Sequence, residues 1–175
     1  MMVRLISISV VLFWSTVAQA GDGRCIWSHL PDSTRQTALA AGIEGGPSAL
    51  GAEIPPDQLV RSEKICGLTP KNAEALRKAE SGYMLQVLAE RWLADNAQLS
   101  RKQLDSAWIN MDQKAKARIE QWAVELDHDP ETHNVAYRSF IVALGASVHL
   151  PTDTKPQLLT YIQGRALREV YEPRF

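Results

Sequence analysis

The densest cluster of metal-ligating side chains in the sequence holds two histidines and three acidic residues within seven positions: Asp127, His128, Asp129, Glu131 and His133. Imidazole nitrogen suits Zn²⁺, Cu²⁺ and Ni²⁺, so His128 and His133 are the candidate ligands of a metal site. The alternative is structural, because acidic residues around a proline are typical of a helix N-terminus, where they complement the helix dipole. The spacing matches no known ligand motif and favours the structural interpretation. We therefore predict no bound metal or cofactor.

Glu80 is the candidate for acid–base chemistry. Leu76 precedes it by one helical turn, and Tyr83 and Met84 follow at similar spacing, so Glu80 falls beside the apolar stripe of a predicted helix. A carboxyl group buried among apolar side chains has a raised pKa and can act as a general acid. A glutamate in such a position more often lies at the edge of the apolar face, paired with arginine or lysine, because glutamate is rarely fully buried. We therefore name Glu80 as the candidate catalytic residue without predicting catalysis.

Sequence motifs of nucleophilic and cofactor-dependent catalysis are absent. The chain contains no Gly-x-Ser-x-Gly, no glycine-rich phosphate loop after a strand, and no Cys-x-x-Cys or Cys-x-x-Cys-His. The formal net charge is only −1, so neither nucleic acid nor an anionic membrane is expected as a partner. These features favour a non-catalytic protein.

Three tryptophans are candidate ligand-binding residues. Trp92, Trp108 and Trp122 lie on the apolar stripes of two long predicted helices, and Trp108 and Trp122 are two heptads apart, so they share a face. One interpretation is a groove for an apolar ligand or a peptide. The other is a helix–helix core, because tryptophan on such a stripe usually packs a bundle.

The first twenty residues have the pattern of a targeting segment. A short positive region with Arg4 precedes an apolar stretch at residues 5–17, and Ala18-Gln19-Ala20 matches a cleavage signature. The apolar stretch is shorter than the roughly 20 residues that span a bilayer, which argues against the alternative of an uncleaved anchor. We predict a signal peptide at residues 1–20, cleaved after Ala20. The mature protein is then periplasmic or secreted, with no stable membrane insertion.

The chain has two cysteines, Cys25 and Cys66, and the predicted export takes both to a compartment where disulfides persist. We predict that they form a disulfide, which closes a loop of about 40 residues and contributes roughly 4 kcal/mol in the chain-entropy model. The alternative of two free thiols requires a reducing compartment or an adjacent base. Neither is visible in the sequence.

Helical periodicity recurs along the chain, and no strand pattern of period two is present. Glycine and proline at residues 42–56 predict an irregular loop, either a surface excursion or a mobile functional segment, and residues 21–24 are expected to be a frayed tail. Gly82, in the middle of a helix, is expected to allow a close helix crossing. We predict helices over residues 34–41, 58–66, 70–95, 101–126, 130–148 and 155–170.

The sequence also predicts where some of these helices begin, whether one of them is continuous, and which is the most buried. Thr69 and Pro70 predict an N-cap and a first helical position, and Ser100 with Gln103 predicts a capping box. The helix over residues 101–126 is read as continuous, with a break near residues 110–112 as the alternative. The apolar run at residues 135–148 is expected to be the most buried helix.

Together these patterns predict an all-α fold. Residues 21–175 form one helical domain, a bundle of about six helices whose loop-rich N-terminal third is held by one disulfide.

Two helix starts resemble a family. Residues 68–72 (Leu-Thr-Pro-Lys-Asn) and 99–103 (Leu-Ser-Arg-Lys-Gln) are similar to the Leu-Thr-x-x-Gln signature of periplasmic Spy-like chaperones. The resemblance covers about ten residues. Asn72 stands in place of glutamine in the first copy and Ser100 in place of threonine in the second. Both segments also fit ordinary helix N-caps.

The sequence therefore predicts an exported helical protein that binds an envelope partner protein or an apolar ligand without catalysis. One alternative is an envelope hydrolase or lyase that uses an inward glutamate such as Glu80, with the segment 42–56 as a lid. Another is the Spy-like chaperone that the resemblance implies. The oligomeric state and the identity of the partner are not encoded in any motif.

Overall fold

The computed structural model describes residues 22–125, 130–145, 150–151 and 153–174. The predicted signal peptide lies outside these residues. The described chain contains nine α-helices and no strand, which confirms the predicted all-α class with more helices than the six expected. They are α1 (Arg24–His29), α2 (Asp32–Gly45), α3 (Pro47–Ala52), α4 (Pro56–Ile65), α5 (Ala73–Ala97), α6 (Arg101–Asn110), α7 (Gln113–Glu125), α8 (Pro130–Leu144) and α9 (Thr154–Tyr171), followed by a 3-10 turn at Glu172–Arg174.

Helices α5 and α9 lie at the centre of the fold, and α5 packs on both sides. On one side it contributes to the main core with α6, α7, α8 and α9, where Leu93, Trp108 and Tyr161 are buried. On the other side Leu88 joins a second apolar cluster formed by α1–α4, with Trp27 and Leu50. None of the helices in the described ranges is long and apolar enough to cross a membrane.

The predicted loop at residues 42–56 is wrong in part, because it contains α3. Helix α2 continues through Gly42 to Gly45, and Gly46 then takes a positive φ of 82° that turns the chain into α3. A Cβ on Gly42 would lie 2.9 Å from Cβ of Leu50. Gly42 therefore serves close packing between α2 and α3 rather than helix termination.

The start of α5 also differs from the prediction. The helix begins at Ala73, and Asn72 rather than Thr69 is its N-cap residue. Asn72 Oδ1 accepts hydrogen bonds from the backbone N–H (2.7 Å) and the hydroxyl (2.9 Å) of Thr69, which stabilise a turn before the helix. After α4 the chain turns at Gly67, whose φ is 75°. The turn between Thr69 and Asn72 then leads it into α5.

The segment predicted as one helix over residues 101–126 is divided into α6 and α7. The break near residues 110–112, which was the alternative to a continuous helix, is therefore confirmed. Asp112 Oδ1 accepts hydrogen bonds from the backbone N–H groups of Lys114 and Ala115, each at 3.0 Å, as an N-capping residue does. The predicted capping box at Ser100 and Gln103 is confirmed, with both reciprocal hydrogen bonds formed.

The expectation that residues 135–148 form the most buried helix is wrong for residues 135–145, and residues 146–149 lie outside the described chain. Within α8 only Ala136 and Phe140 are fully buried, and Val142 is 80 % exposed. Helix α9 instead has buried residues from Thr154 to Tyr171. Apolar content alone did not reveal which helix is surrounded on several sides.

The chain just after the predicted cleavage point is docked rather than frayed. The backbone N–H of Gly23 donates to Glu172 (3.2 Å), and Asp22 lies 3.7 Å from the guanidinium of Arg168. A Cβ on Gly23 would lie 2.5 Å from the carbonyl oxygen of Ala79. The N-terminal segment therefore packs directly against α5 and the end of α9.

The predicted close crossing at Gly82 is confirmed. A Cβ built on Gly82 would lie 2.7 Å from the carbonyl oxygen of Gly164, and one on Gly164 would lie 2.5 Å from that of Gly82. The backbones of α5 and α9 therefore touch, and neither position has room for a side chain.

We expect Gly82→Ala to lower the free energy of unfolding by about 1–3 kcal/mol, because the added methyl must separate α5 from α9. Gly51→Ala is the matched control, since a Cβ at this helical glycine meets nothing within 4 Å. It should leave stability unchanged or raise it by up to about 1 kcal/mol. Urea denaturation followed by circular dichroism measures both, and equal effects of the two variants would contradict the crossing.

Candidate functional site

A cleft runs between α5 and the short helices α3 and α4. It has two adjoining lobes, of about 370 Å³ and about 290 Å³, which share Gly51, Ser81 and Met84 in their lining. The first lobe is bounded by Ile54, Pro56, Leu59, Val60, Glu63, Arg77 and Glu80, and the second by Pro47, Ser48, Leu50, Leu85 and Leu88. Most of this lining is apolar.

A third cavity of about 250 Å³ extends the cleft toward α9. It shares Pro47 and Leu88 with the second lobe and ends at Trp92. The three cavities therefore follow one face of α5 from Arg77 to Trp92. At 1.5 Å of rise per residue, this face is about 22 Å long.

The first lobe contains the two buried acidic residues of the cleft. Glu80 and Glu63 are each only 5 % exposed. Arg77 donates to both oxygens of Glu63, from Nε at 2.9 Å and from a terminal nitrogen at 3.4 Å. Glu80 Oε1 is buried without a hydrogen-bond partner in the described chain. The one guanidinium of this lobe is thus engaged by Glu63, and Glu80, a lining residue of the lobe, keeps a buried oxygen without a partner.

The pKa of Glu80 is raised to about 7 from its ordinary 4.5. Burial among apolar groups is the main cause, the charge of Glu63 adds to it, and Arg77 opposes it. At neutral pH the carboxyl group is therefore poised between its protonated and ionised forms, so that it can donate or accept a proton.

The sequence pattern identified Glu80 from its position beside the apolar stripe. It did not show that Glu63 and Arg77 lie next to Glu80 as an ion pair. Arg77 lies three residues before Glu80 on the same helix, a spacing that would ordinarily suggest an ion pair between them. It bonds instead to Glu63 on α4. Glu63 follows Leu59 by one turn, and this spacing was the only available sign that it faces inward.

The three candidate tryptophans have different environments. Trp108 and Trp122 are buried in the main core, and Trp108 Nε1 donates to Glu169 at 2.6 Å. Trp92 is half-buried and lines the far end of the cleft. Only Trp92 is therefore placed to touch a ligand in the cleft.

Only one of the two candidate metal ligands lies in the part of the chain that is described. His133 lies on α8 with its ring edge-on to Trp122, the ring centroids 4.9 Å apart. His128 lies outside the described residues, so the structure does not test these two histidines as a pair.

A polar network at the α5–α9 interface is fully engaged in structural contacts. Arg168, 6 % exposed, donates to Gln86 at 2.6 Å and to Glu172 at 2.7 Å, and its guanidinium lies 5.1 Å from the ring centre of Tyr83. Gln86 in turn donates to Glu90 at 2.6 Å. With its partners satisfied, this network stabilises the helix packing and leaves no group free for a ligand.

The disulfide between Cys25 and Cys66 is confirmed. No base beside the cysteines is evident from the sequence, yet the exposed ring of His29 lies against both of them. His29 Nδ1 is 3.7 Å from Cys25 Sγ and 3.9 Å from Cys66 Sγ. The signal for this contact was the Cys-x-x-x-His spacing at residues 25–29, which places both side chains on one helical face. A disulfide is typical of a non-cytoplasmic environment.

Comparison of the chain with protein-family models, curated proteins and solved structures finds no match. The function is therefore argued from the cleft itself.

We expect the stability of the protein to fall as the pH rises from 4.5 to 7. The folded-state pKa of Glu80 is about 7 and its ordinary value 4.5, so across this window the folded state retains a proton that the unfolded state releases. The associated loss in the free energy of unfolding is up to about 3 kcal/mol and is complete above the folded-state pKa.

Glu80→Gln should reduce this pH dependence, to which the raised pKa values of Glu90 and Glu120 also contribute, and it should unfold at higher urea concentration than the wild type above pH 7. Glu53→Gln, at an exposed glutamate, is the control and should keep the wild-type profile. Urea unfolding below pH 4.5 and above pH 7 measures the difference. A Glu80→Gln profile parallel to that of the wild type would show that Glu80 ionises normally in the folded protein.

Proposed function

We propose that this protein is an exported, non-catalytic binding protein that holds a small amphipathic ligand in the cleft along α5. The ligand places its apolar chain between α3 and α5 and its polar head, a hydrogen-bond donor such as an ammonium group, at Glu80. Export by residues 1–20 and a periplasmic or secreted location are part of this proposal. The disulfide supports them, because it requires an oxidising environment.

The observation that carries the proposal is the combination of an apolar cleft with one unsatisfied buried carboxyl group. Ligand sites are typically concave, mostly apolar and several hundred Å³ in volume, with a few polar groups that orient the ligand. The lobes of about 370 and 290 Å³ have this size and this character. Glu80 is the group that would orient the ligand.

The charges in the first lobe select the head group. Arg77 and Glu63 compensate each other, whereas the buried Oε1 of Glu80 has no partner, so a donor that reaches into this lobe would satisfy it. An ammonium group would stabilise the ionised carboxylate through a charge-assisted hydrogen bond. A carboxylate head would meet two acidic residues in a low-dielectric site, where repulsion is strong.

A hydrolase or lyase is the second candidate, favoured by the same pair of carboxyl groups. Glu80, with its raised pKa, has the property of a general acid, and Glu63 differs from it in being paired with Arg77. Such divergent pairs divide the acid and base roles in known hydrolases. The cleft adds no observation in favour of the Spy-like chaperone.

We expect decylamine to bind more tightly than decanol, and decanoate to show no binding, in isothermal titration calorimetry. Glu80→Gln should weaken decylamine binding by about 10–100-fold, the value of a charge-assisted hydrogen bond, and change decanol binding far less. Ser81→Phe, which fills the junction of the two lobes, should abolish binding of both. Its matched control is Ser106→Phe at an exposed position of α6, which should bind as the wild type does.

Equal affinity for decylamine and decanoate, or unchanged binding by Ser81→Phe, would contradict the proposed site.

The hydrolase or lyase candidate is distinguished from the binding protein by measuring turnover. If purified protein cleaves cell-wall polymer, the rate should decline above pH 7, where Glu80 loses its proton, and Glu80→Gln should abolish it. Absence of turnover together with decylamine binding supports the binding protein.

A further inference from the structure

We propose that Cys25, His29 and Cys66 form a Zn²⁺ site when the disulfide between the two cysteines is reduced. The three side chains are a potential ligand set whose nitrogen and sulfur atoms all lie within 4.8 Å of one another, the one such group of three in the part of the chain that the structure describes. This inference is independent of the ligand proposed for the cleft.

The distances suit a tetrahedral centre. With Zn–S bonds of about 2.3 Å and Zn–N bonds of about 2.0–2.1 Å, a sulfur and a nitrogen ligand lie about 3.6 Å apart. His29 Nδ1 is already 3.7 Å from one sulfur and 3.9 Å from the other. Reduction frees the two sulfurs to separate to the roughly 3.8 Å that two thiolates adopt around the same ion. The histidine needs only a small adjustment.

The ligand chemistry favours zinc. Two thiolates and one imidazole are soft to borderline donors, and the tetrahedral S₂N set is typical of zinc in proteins. The Cys-x-x-x-His spacing of residues 25–29 puts two of the ligands one turn apart on α1, and Cys66, the C-cap residue of α4, supplies the third. The fourth position would be taken by water, because the His29 side of the site is exposed.

The surrounding packing keeps the ligands together without the covalent bond. Ile26, next to Cys25, is fully buried, and it packs with Cys66 and with Leu76 of α5 in one apolar cluster. These contacts attach α1 to α4 and α5 independently of the sulfur–sulfur bond. Reduction therefore leaves the two thiols near each other instead of releasing α1.

A dithiol can reduce the disulfide between Cys25 and Cys66. The reductant transfers two electrons and two protons to the disulfide, is itself oxidised to a disulfide, and leaves Cys25 and Cys66 as thiols. Binding of Zn²⁺ by two thiolates then releases two protons. In the structure with the disulfide formed, His29 Nδ1 donates to the carbonyl of Cys25 at 2.9 Å. As a ligand it would give up this hydrogen bond, and the ring would carry its proton on the other nitrogen.

The test is metal binding by the purified protein in its oxidised and reduced forms, with Co²⁺ as a spectroscopic substitute and Zn²⁺ as the competing ion. The reduced protein should bind one Co²⁺ with the thiolate charge-transfer and tetrahedral d–d absorption bands, and Zn²⁺ should displace it. The oxidised protein should show neither band. Zn²⁺ should also raise the melting temperature of the reduced protein, because a ligand that binds only the folded state stabilises it.

His29→Ala should weaken Zn²⁺ binding of the reduced protein by more than about 100-fold, beyond the effect of losing an outer-shell partner. Gln36→Ala, at an exposed position of α2, is the control and should bind as the wild type does. Unchanged affinity in His29→Ala would overturn the site. If the reduced protein loses its helical circular dichroism and Zn²⁺ does not restore it, the proposal is likewise overturned.

Discussion

The close contact between the backbones of α5 and α9 at Gly82 and Gly164 is the constraint on which the rest of the structure depends. It brings the two longest helices near enough for Arg168 of one to donate to Gln86 of the other inside the core. Because α9 covers one side of α5, α3 and α4 pack on another side of that helix. The first two lobes of the cleft and its acidic end lie there, and the third cavity reaches α9.

The two buried charged groups of α5 and α9 differ in how they are satisfied. The Arg168 guanidinium has Gln86 and Glu172 within hydrogen-bond distance, so the cost of its burial is offset locally. Glu80 is equally buried but leaves one oxygen without a partner. A buried polar atom without a partner costs about 1–3 kcal/mol, and such atoms concentrate where a protein binds or transforms a ligand. This contrast distinguishes a structural charge from a candidate functional one.

Local patterns in the sequence predicted the features that depend on nearby residues. The capping box follows from Ser100 and Gln103, and the close approach was indicated by the missing side chain of Gly82. The break near residues 110–112 was only the alternative to the continuous helix that was predicted. The disulfide followed from the cysteine count. Features that depend on distant segments were missed, among them helix α3, which a turn at Gly46 makes possible, and the ion pair of Glu63 with Arg77 across two helices. Periodicity shows that a face is apolar, but it does not show which partner covers it.

Helix α4 connects the two sites that the structure presents. Glu63 lies in the cleft. Cys66, the C-cap residue of the same helix, belongs to the ligand set formed with Cys25 and His29. The chain between them makes less than one helical turn, and the carbonyl of Glu63 accepts a hydrogen bond from the N–H of Leu68 just beyond the cysteine (2.9 Å). A displacement of the end of α4 would therefore move both Cys66 and the backbone of Glu63, whose charge is one of the causes that raise the pKa of Glu80.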